Sequence, residues 1–243
     1  MEPSYALTIA VPAETLKSLS NYFRELDDLN QMRLLTQTIY LSPGLESAGY
    51  GSMMSDLFDI SSQLESRNGV NMRPADNLLL GIVQTMLRNY PAALKSLDDA
   101  IAVNPQFTVA YMARGYARYA NALTEMKIAK ESKNEEENFL DRTLYTSLLQ
   151  ESLDDFDRVL SLNPRVVFAW FNKGNIYYEA GDYTSAMQAY SEAIKIDPQF
   201  GEAYFNRGLA YLNAGNKNQA FSDLSKAGEL GVIPSYNILK RMK

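Results

Sequence analysis

The feature that most constrains this chain is a spacing of 34 residues between like residues along its C-terminal two thirds. Gly81 and Gly115 lie 34 apart, as do Gly174 and Gly208, whereas Gly115 and Gly174 lie 59 apart, which is 34 plus 25. A fixed period of this length is typical of a short structural unit that is repeated and stacked on its neighbours. The sequence therefore predicts four units, with 25 additional residues inside the second.

Each unit has the residues of two helices joined by a short turn. In the third unit we predict helices over 169–180 and 184–196. Gly174 and Ala186 are small, as is needed where two antiparallel helices cross closely. Pro198 ends the second helix because its ring nitrogen cannot donate to the carbonyl one turn back. One such hairpin cannot bury its own apolar faces, so neighbouring hairpins must stack.

The third unit resembles a tetratricopeptide repeat, with Lys173 in the place where that family has leucine. The residues that carry the resemblance are Trp170, Gly174, Tyr177, Ala186, Tyr190, Ala193 and Pro198. The first unit has Asn77 in the place of the tryptophan. The units would cover 74–107, 108–166, 167–200 and 201–234. The resemblance implies an all-α fold, a right-handed α-solenoid of helix hairpins.

The two ends of the chain fit the repeat less well. Residues 1–73 are expected to form an irregular helical segment, with a degenerate repeat at about 12–45 and an amphipathic helix at about 52–66. That helix could cap the solenoid or lie in its groove, and the sequence leaves both open. Residues 235–243 are expected to form a capping helix with Tyr236 and Leu239 packed inward.

An acidic stretch overlaps the 25-residue insertion. Between Glu131 and Asp157 there are nine acids against Lys133 and Arg142, a local balance of −7. The favoured interpretation is that both helices of the second unit run on and meet at a solvated tip near residues 133–138. The alternative is a protruding acidic arm that docks a basic partner.

Composition excludes most catalytic and metal chemistry. The chain has no cysteine and no histidine, and so lacks thiolate nucleophiles, disulfides, imidazole bases and the commonest zinc ligands. Gly44 and Gly49 have the spacing of a phosphate-binding loop, but Tyr50 follows where lysine is required. Four carboxylates, Glu151, Asp154, Asp155 and Asp157, are interpreted as solvated helix surface rather than a cation site. We therefore expect neither an enzyme nor a cofactor.

Charge and hydropathy also limit the partners. No basic stripe suits a phosphate backbone, so nucleic acid is not expected. No apolar run is long enough to span a bilayer, and the apolar patch Tyr5–Val11 is too short for a standard signal peptide, so we expect a soluble chain in an unassigned compartment. The oligomeric state is left open.

Paired aromatic residues in the stretch AWFNKGNIYY give one helix two aromatic stripes. The Trp170 stripe is expected to pack in the core. The resemblance implies that the first helix of each unit lines a concave wall, which would place the Phe171 stripe in the groove. The predicted groove residues are Met112, Tyr116, Tyr119, Phe171, Asn172, Asn175, Tyr178, Phe205, Asn206 and Leu209. Generic packing between repeats is the competing explanation of the same stripe.

An apolar strip with interspersed amides suits an extended peptide backbone. The family's clamp for a C-terminal carboxylate is not expected, because Phe171 stands where its first lysine belongs. The sequence thus predicts a non-catalytic protein–protein interaction scaffold that binds a protein or peptide in the concave groove. The alternatives are a solute- or glycan-binding component of a larger assembly and a regulatory module of an enzyme.

Overall fold

The structure is a computed structural model that describes residues 61–62, 64–66, 72–131 and 135–242, with the backbone alone for 129–131 and 135–142. All regular structure in those ranges is helical. The helices are α1 (Pro74–Met86), α2 (Tyr90–Val103), α3 (Thr108–Glu131), α4 (Glu135–Leu162), α5 (Val167–Glu179), α6 (Tyr183–Ile196), α7 (Gly201–Asn213), α8 (Lys217–Glu229) and α9 (Pro234–Met242).

The helices fall into two compact structural units, each containing two predicted repeats, that divide between Leu162 and Asn163. From here on, 'first unit' and 'second unit' mean these two structural units, and a single repeat is called a hairpin. The first unit contains the hairpins α1–α2 and α3–α4, and the second contains α5–α6, α7–α8 and the single helix α9. Within each unit consecutive hairpins pack on one another. The predicted fold class, an all-α solenoid of helix hairpins, is confirmed in both units, and the third hairpin begins and ends within two residues of its predicted bounds.

A glycine on the first helix of every hairpin lets the second helix approach closely. A Cβ atom built on Gly174 would lie 2.5 Å from Cε1 of Tyr190, a distance that real Cβ contacts do not show. The same place is taken by Gly81 against Leu97 and by Gly208 against Leu224. The glycine period in the sequence therefore reports the crossing point of each hairpin.

The turn of the third hairpin is set by two adjacent residues. Gly181 has a φ of 79°, a left-handed conformation that costs glycine little. Asp182 then begins α6, since its Oδ1 accepts a hydrogen bond from the backbone nitrogen of Ser185 at 3.0 Å. Hydrogen bonds from Ser185 hold the pKa of the Asp182 carboxyl below its usual value. In the first hairpin Arg88 takes the glycine place, with a φ of 59°.

The insertion lengthens both helices of the second hairpin, as the favoured interpretation predicted. α3 has 24 residues and α4 has 28, against 13 and 14 in the first hairpin. One carboxylate near this insertion is not where we expected it. Asp155 is 2% exposed and receives hydrogen bonds from Arg114 and Arg118, both at 2.6 Å. The expectation of a solvated Asp155 is wrong, because two guanidinium groups stabilise its charge inside the hairpin.

The C-terminal helix forms as expected, but only one of the two residues predicted to pack inward does so. Leu239 packs on the core cluster formed by Phe205, Leu209, Leu224, Ala227 and Val232. Tyr236 instead remains 55% exposed, while its hydroxyl donates to the carbonyl of Gly228 at 2.9 Å. The aromatic ring thus lies along the surface of α8 because its polar end bonds to that helix.

The expected degenerate repeat at 12–45 and most of the helix at 52–66 lie outside the described residues. Residues 61, 62, 64 and 65 are helical, and Leu64 is 5% exposed. Within the described part of the chain, no helix combines the length and the apolar character that crossing a bilayer requires.

Candidate functional site

The predicted groove residues divide between the two units. Met112, Tyr116 and Tyr119 lie on α3 of the first unit, and the other seven lie on α5 and α7 of the second. Each unit therefore has its own candidate surface. The second unit brings most of its predicted residues into contact with one another.

The two phenylalanines expected to form the wall of a groove are buried. Phe171 is 1% exposed, and its ring centroid lies 5.8 Å from that of Tyr190 and 4.8 Å from that of Phe200. Phe205 is 4% exposed in the core cluster on which α9 packs. Each ring is covered by the element that follows its hairpin. The second aromatic stripe thus begins in the core, and a partner would contact its half-exposed neighbours.

Asn175 and Asn206 form the polar part of the candidate site. The Oδ1 atom of Asn175 accepts hydrogen bonds from the hydroxyl of Tyr190 at 2.8 Å and from Nδ2 of Asn206 at 2.9 Å. These bonds link α5, α6 and α7 and fix both amides. The Oδ1 atom of Asn206 is buried without a hydrogen-bond partner. Nδ2 of Asn175 likewise makes no hydrogen bond to any described residue.

An indentation of ≈ 10 Å³ lies at this amide pair and is lined by Asn175, Tyr178, Glu179, Tyr190, Asn206 and Leu209. That volume is about what one water molecule needs. The surface therefore offers a shallow contact with one free amide donor, Nδ2 of Asn175, flanked by the ring of Tyr178 and the side chain of Leu209, whereas Oδ1 of Asn206 is buried. Such a surface suits a peptide chain better than a small molecule, which requires an enclosed pocket.

Tyr178 is held in place at the rim of the indentation. Its hydroxyl accepts a hydrogen bond from Nδ2 of Asn213 at 2.5 Å, and its ring lies edge-on to Tyr183 with centroids 5.4 Å apart. Burial raises the pKa of the Tyr178 phenol to about 12, so the hydroxyl is neutral at physiological pH. The half-exposed ring is thus a fixed, uncharged contact surface.

The first unit gathers a less complete surface. Met112 is 4% exposed and belongs to the core, whereas Tyr116 and Tyr119 are half-buried. Burial raises the pKa of the Tyr116 phenol above its usual value. No amide stands at these α3 positions, so the first unit lacks the donor and acceptor pair of the second.

The sequence predicted that Trp170 packs in the core, and this prediction is wrong. It is half-exposed, and its Nε1 donates to the carbonyl of Pro164 at 3.1 Å. The ammonium of Lys173 lies 5.5 Å from the ring centroid. This cation lies over one face of the Trp170 ring, a favourable electrostatic contact.

Sequence reasoning missed three residues of the second-unit site: Tyr190, Glu179 and Asn213. Tyr190 was predicted only as a residue of the repeat pattern, because its spacing from Gly174 explains its ring and says nothing of its hydroxyl. Asn213 lies 35 residues after Tyr178, close to one repeat, and that spacing is the signal that could have identified it. Asn172, a predicted groove residue, is 1% exposed and contributes to the interior instead.

Metal chemistry finds no support in the part of the chain that the structure describes. No three carboxylates there gather closely enough to hold a metal ion. The carboxylate of Asp155 is engaged with arginines, as described above.

Comparisons with known proteins agree with this architecture. A family model described as TPR repeat matches residues 174–215, and one described as Tetratricopeptide repeat matches residues 201–230. No curated protein sequence matches the chain.

Several solved structures share the fold. A crystal structure of MamA has a TM-score of 0.55 at 21% identity, covering 76% of this chain and 93% of that one. The thermophilic TPR protein TTC0263 of Thermus thermophilus has a TM-score of 0.58 at 18% identity, with coverages of 89% and 98%. MamA 41-end from Desulfovibrio magneticus RS-1 has a TM-score of 0.53 at 15% identity, with coverages of 94% and 97%. At such identities the likeness concerns the fold alone.

Proposed function

Because this chain is a tetratricopeptide-repeat protein, we propose that it is a non-catalytic interaction scaffold and that its second unit binds an extended peptide segment of a protein partner. The observation that supports this proposal is the amide pair of Asn175 and Asn206. Nδ2 of Asn175, which makes no hydrogen bond to any described residue, matches the C=O group of a peptide backbone. Tyr178 and Leu209 supply the adjacent apolar contact.

The proposed ligand is an internal segment and not a C-terminus. A terminal carboxylate needs a cation beside it, and the only ionisable side chain lining the indentation, apart from two tyrosines, is the acid Glu179. Phe171 stands where a clamp lysine would be and is buried. The scaffold should therefore bind a peptide equally well whether its C-terminus is free or amidated.

The fourth hairpin supplies the residues for a test. Asn175 and Tyr178 correspond to Leu209 and Leu212 one repeat later, where Leu224 also takes the place of Tyr190. Asn175→Leu leaves the Tyr190 hydroxyl and Nδ2 of Asn206 without their acceptor, so a moderate loss of stability is expected beside any loss of binding. The double variant Asn175→Leu and Tyr178→Leu removes the free donor and the ring while retaining apolar volume. The matched control is Gln188→Leu, an exposed residue on α6 outside the indentation.

The experiment selects ligands from a library of randomised displayed peptides with the wild-type chain, and then measures the affinity of the selected peptides for each variant. We expect a loss of about tenfold or more for the double variant, since backbone hydrogen bonds and an aromatic anchor are both removed. Circular dichroism reports whether the variants keep their helices. Selected peptides that bind the folded double variant as tightly as the wild type would contradict the proposed site.

A further inference from the structure

The first unit contains a second cavity, of ≈ 280 Å³, that lies apart from the proposed peptide site. It is bounded by α1, α2 and the short helical segment that contains Glu65. Its lining residues are Glu65, Asn77, Leu80, Gln84, Ala92, Lys95, Ser96 and Asp99. A cavity of this size approaches that of small-molecule sites.

This cavity arises where the first hairpin departs from the other three. Asn77 occupies the place that is taken by Tyr111, Trp170 and Tyr204 in the other hairpins. The next place on the same face of α1 is Gln84, where the third and fourth hairpins have tyrosines. Two amides thus replace two aromatic rings on one helix face, which removes volume and adds hydrogen-bonding groups.

These amides are covered rather than solvated. Asn77 is 8% exposed and Gln84 is 4% exposed. A terminal hairpin with a polar outer face for solubility would leave such residues open to water. Their burial therefore indicates a built polar interior, in which each group requires a hydrogen-bond partner.

The hydrogen bonds around the cavity hold one carboxylate in a defined position. Ser96 donates to Oε1 of Gln84 at 2.8 Å, and Nε2 of Gln84 donates to Oε1 of Glu65 at 3.1 Å. Ser61 also donates to Oε1 of Glu65, at 2.9 Å. Both of these donors reach the same oxygen, so Oε2 of Glu65 is left without a hydrogen bond to any described residue. The side-chain amide of Asn77 makes none within the described ranges either.

The charges of the lining favour a cation. Glu65 and Asp99 supply two carboxylates, and Lys95, which pairs with Asp99 at 3.1 Å, supplies the one ammonium. The acceptors that make no hydrogen bond to a described residue are Oε2 of Glu65 and Oδ1 of Asn77, and Leu80 and Ala92 offer an apolar wall. A ligand that donates hydrogen bonds from a charged end and has an aliphatic stem satisfies both features.

From this arrangement we propose that the cavity binds a primary alkylammonium group, with its charged end at Glu65 and Asn77 and its stem against Leu80 and Ala92. The group can come from a lysine side chain of a partner or from a free aliphatic amine. The two sources share this chemistry. The site is independent of the peptide surface in the second unit.

The test is an NMR titration of the full chain, following the side-chain amide signals of Asn77 and Gln84. The probes are n-butylamine, which is protonated at neutral pH, the neutral analogue n-butanol, and Nα-acetyl-lysine methylamide. We expect saturable shifts with both amines and none with the alcohol. Tighter binding of the lysine derivative assigns the site to a partner's side chain, and tighter binding of butylamine assigns it to a free amine.

Two variants and one control test whether Glu65 and Asn77 bind the amine. Glu65→Gln should weaken amine binding about tenfold, because a charge-assisted hydrogen bond is replaced by a neutral one. Asn77→Tyr restores the aromatic of the other hairpins, fills the cavity and should abolish binding without lowering the melting temperature. Glu229→Gln makes the same charge change on an exposed residue of the second unit and should have no effect.

Three results would overturn the proposal: the absence of saturable shifts, equal affinity for n-butanol, or equal affinity of Glu65→Gln and wild type for butylamine. The Glu65→Gln measurement decides the matter even where Asn77→Tyr does not fold, since Glu65 is exposed and its replacement leaves the hairpin core intact.

Discussion

The first and third hairpins are built on the same crossing but differ at their turns and edges. In the first, Gly81 faces Leu97, and in the third, Gly174 faces Tyr190 at the equivalent place. A Cβ atom on either glycine would come within 2.5 Å of the facing side chain. The crossing thus tolerates an aliphatic or an aromatic partner, provided that the first helix contributes no side chain.

Positions away from the crossing glycine are not constrained in this way and differ between the two hairpins. The third hairpin has Trp170 beside Lys173, whereas the first has Asn77 beside Leu80. The third turns through Gly181, whereas the first turns through Arg88, also with a positive φ. Positions that hold the hairpin together are uniform, and positions away from the crossing vary. The proposed amine cavity lies at such a variable position, Asn77.

The largest expected effect tests the shared crossing. Gly174→Leu should destabilise the fold by about 3 kcal/mol, because its side chain collides with the Tyr190 ring, and the gain in helix propensity offsets less than about 1 kcal/mol of that cost. Gly81→Leu should cost a similar amount against Leu97. Urea denaturation of both variants measures this, with Gln188→Leu as the exposed control. A large cost at one glycine only would show that the two crossings are not equivalent.

A smaller effect concerns an ion pair that only some hairpins have. Arg207 donates to Asp223 at 2.7 and 2.8 Å, and Asp223 is 6% exposed. The equivalent places in the first hairpin hold Leu80 and Ser96. Asp223→Ala should cost about 2 kcal/mol, since it leaves a partly buried guanidinium without its carboxylate partner and with only the hydrogen bond to Oγ of Ser191 at 2.9 Å.

The rescue for this pair is Arg207→Leu combined with Asp223→Ala. The double variant takes the leucine found in the first hairpin and should recover part of the lost stability, because no charge is left unpaired. Chemical denaturation again supplies the free energies of unfolding. If the double variant is as unstable as the sum of the two single variants, the pair contributes nothing through its charges.

Sequence reasoning predicted the features that repeat, and it failed where a residue acts through one particular neighbour. The period of 34 identified the hairpins, their crossing glycines and the long second hairpin, because the same constraint recurs along the chain. It did not place Asp155, whose burial depends on Arg114 and Arg118 reaching across the hairpin. Nor did it find that Phe171 is covered by Phe200, because that contact depends on how the following hairpin packs.

The candidate sites show the same division. Asn175 and Asn206 were predicted from sequence because they are amides interspersed with the second aromatic stripe on successive first helices. The hydroxyl of Tyr190, which fixes Asn175, was not, since the sequence explains that residue equally well by its size alone. The cavity at Asn77 was visible in the sequence only as a departure from the repeat. Its burial, and its contact with Gln84 and Glu65, required the structure.

The insertion makes the helices of the second hairpin longer than those of the first. Its removal should lower the free energy of unfolding only slightly. Deleting residues 122–146 restores the 34-residue period and should leave a folded helical chain, less stable by about 1 kcal/mol. The cost arises because Ala122 is buried and because the hydroxyls of Tyr90 and Thr124 lie 3.2 Å apart. Circular dichroism and thermal melting check this outcome. A deletion that unfolds the chain would show that the long hairpin is needed for the fold.

The smallest effect concerns the turns, where the first and third hairpins use different residues for one backbone conformation. Arg88 has a φ of 59° and is exposed, and Gly181 has a φ of 79° with nothing within 4 Å of an added Cβ atom. A side chain in the left-handed region is strained even where space is free, so Arg88→Gly should stabilise the chain by about 0.5–1 kcal/mol. Gly181→Arg should destabilise it by a similar amount. Paired thermal melts measure both variants against the wild type. If Arg88→Gly lowers the melting temperature instead, the guanidinium of Arg88 makes a stabilising contact that exceeds the backbone strain, and the first turn then differs from the third in its interactions as well as in its residue.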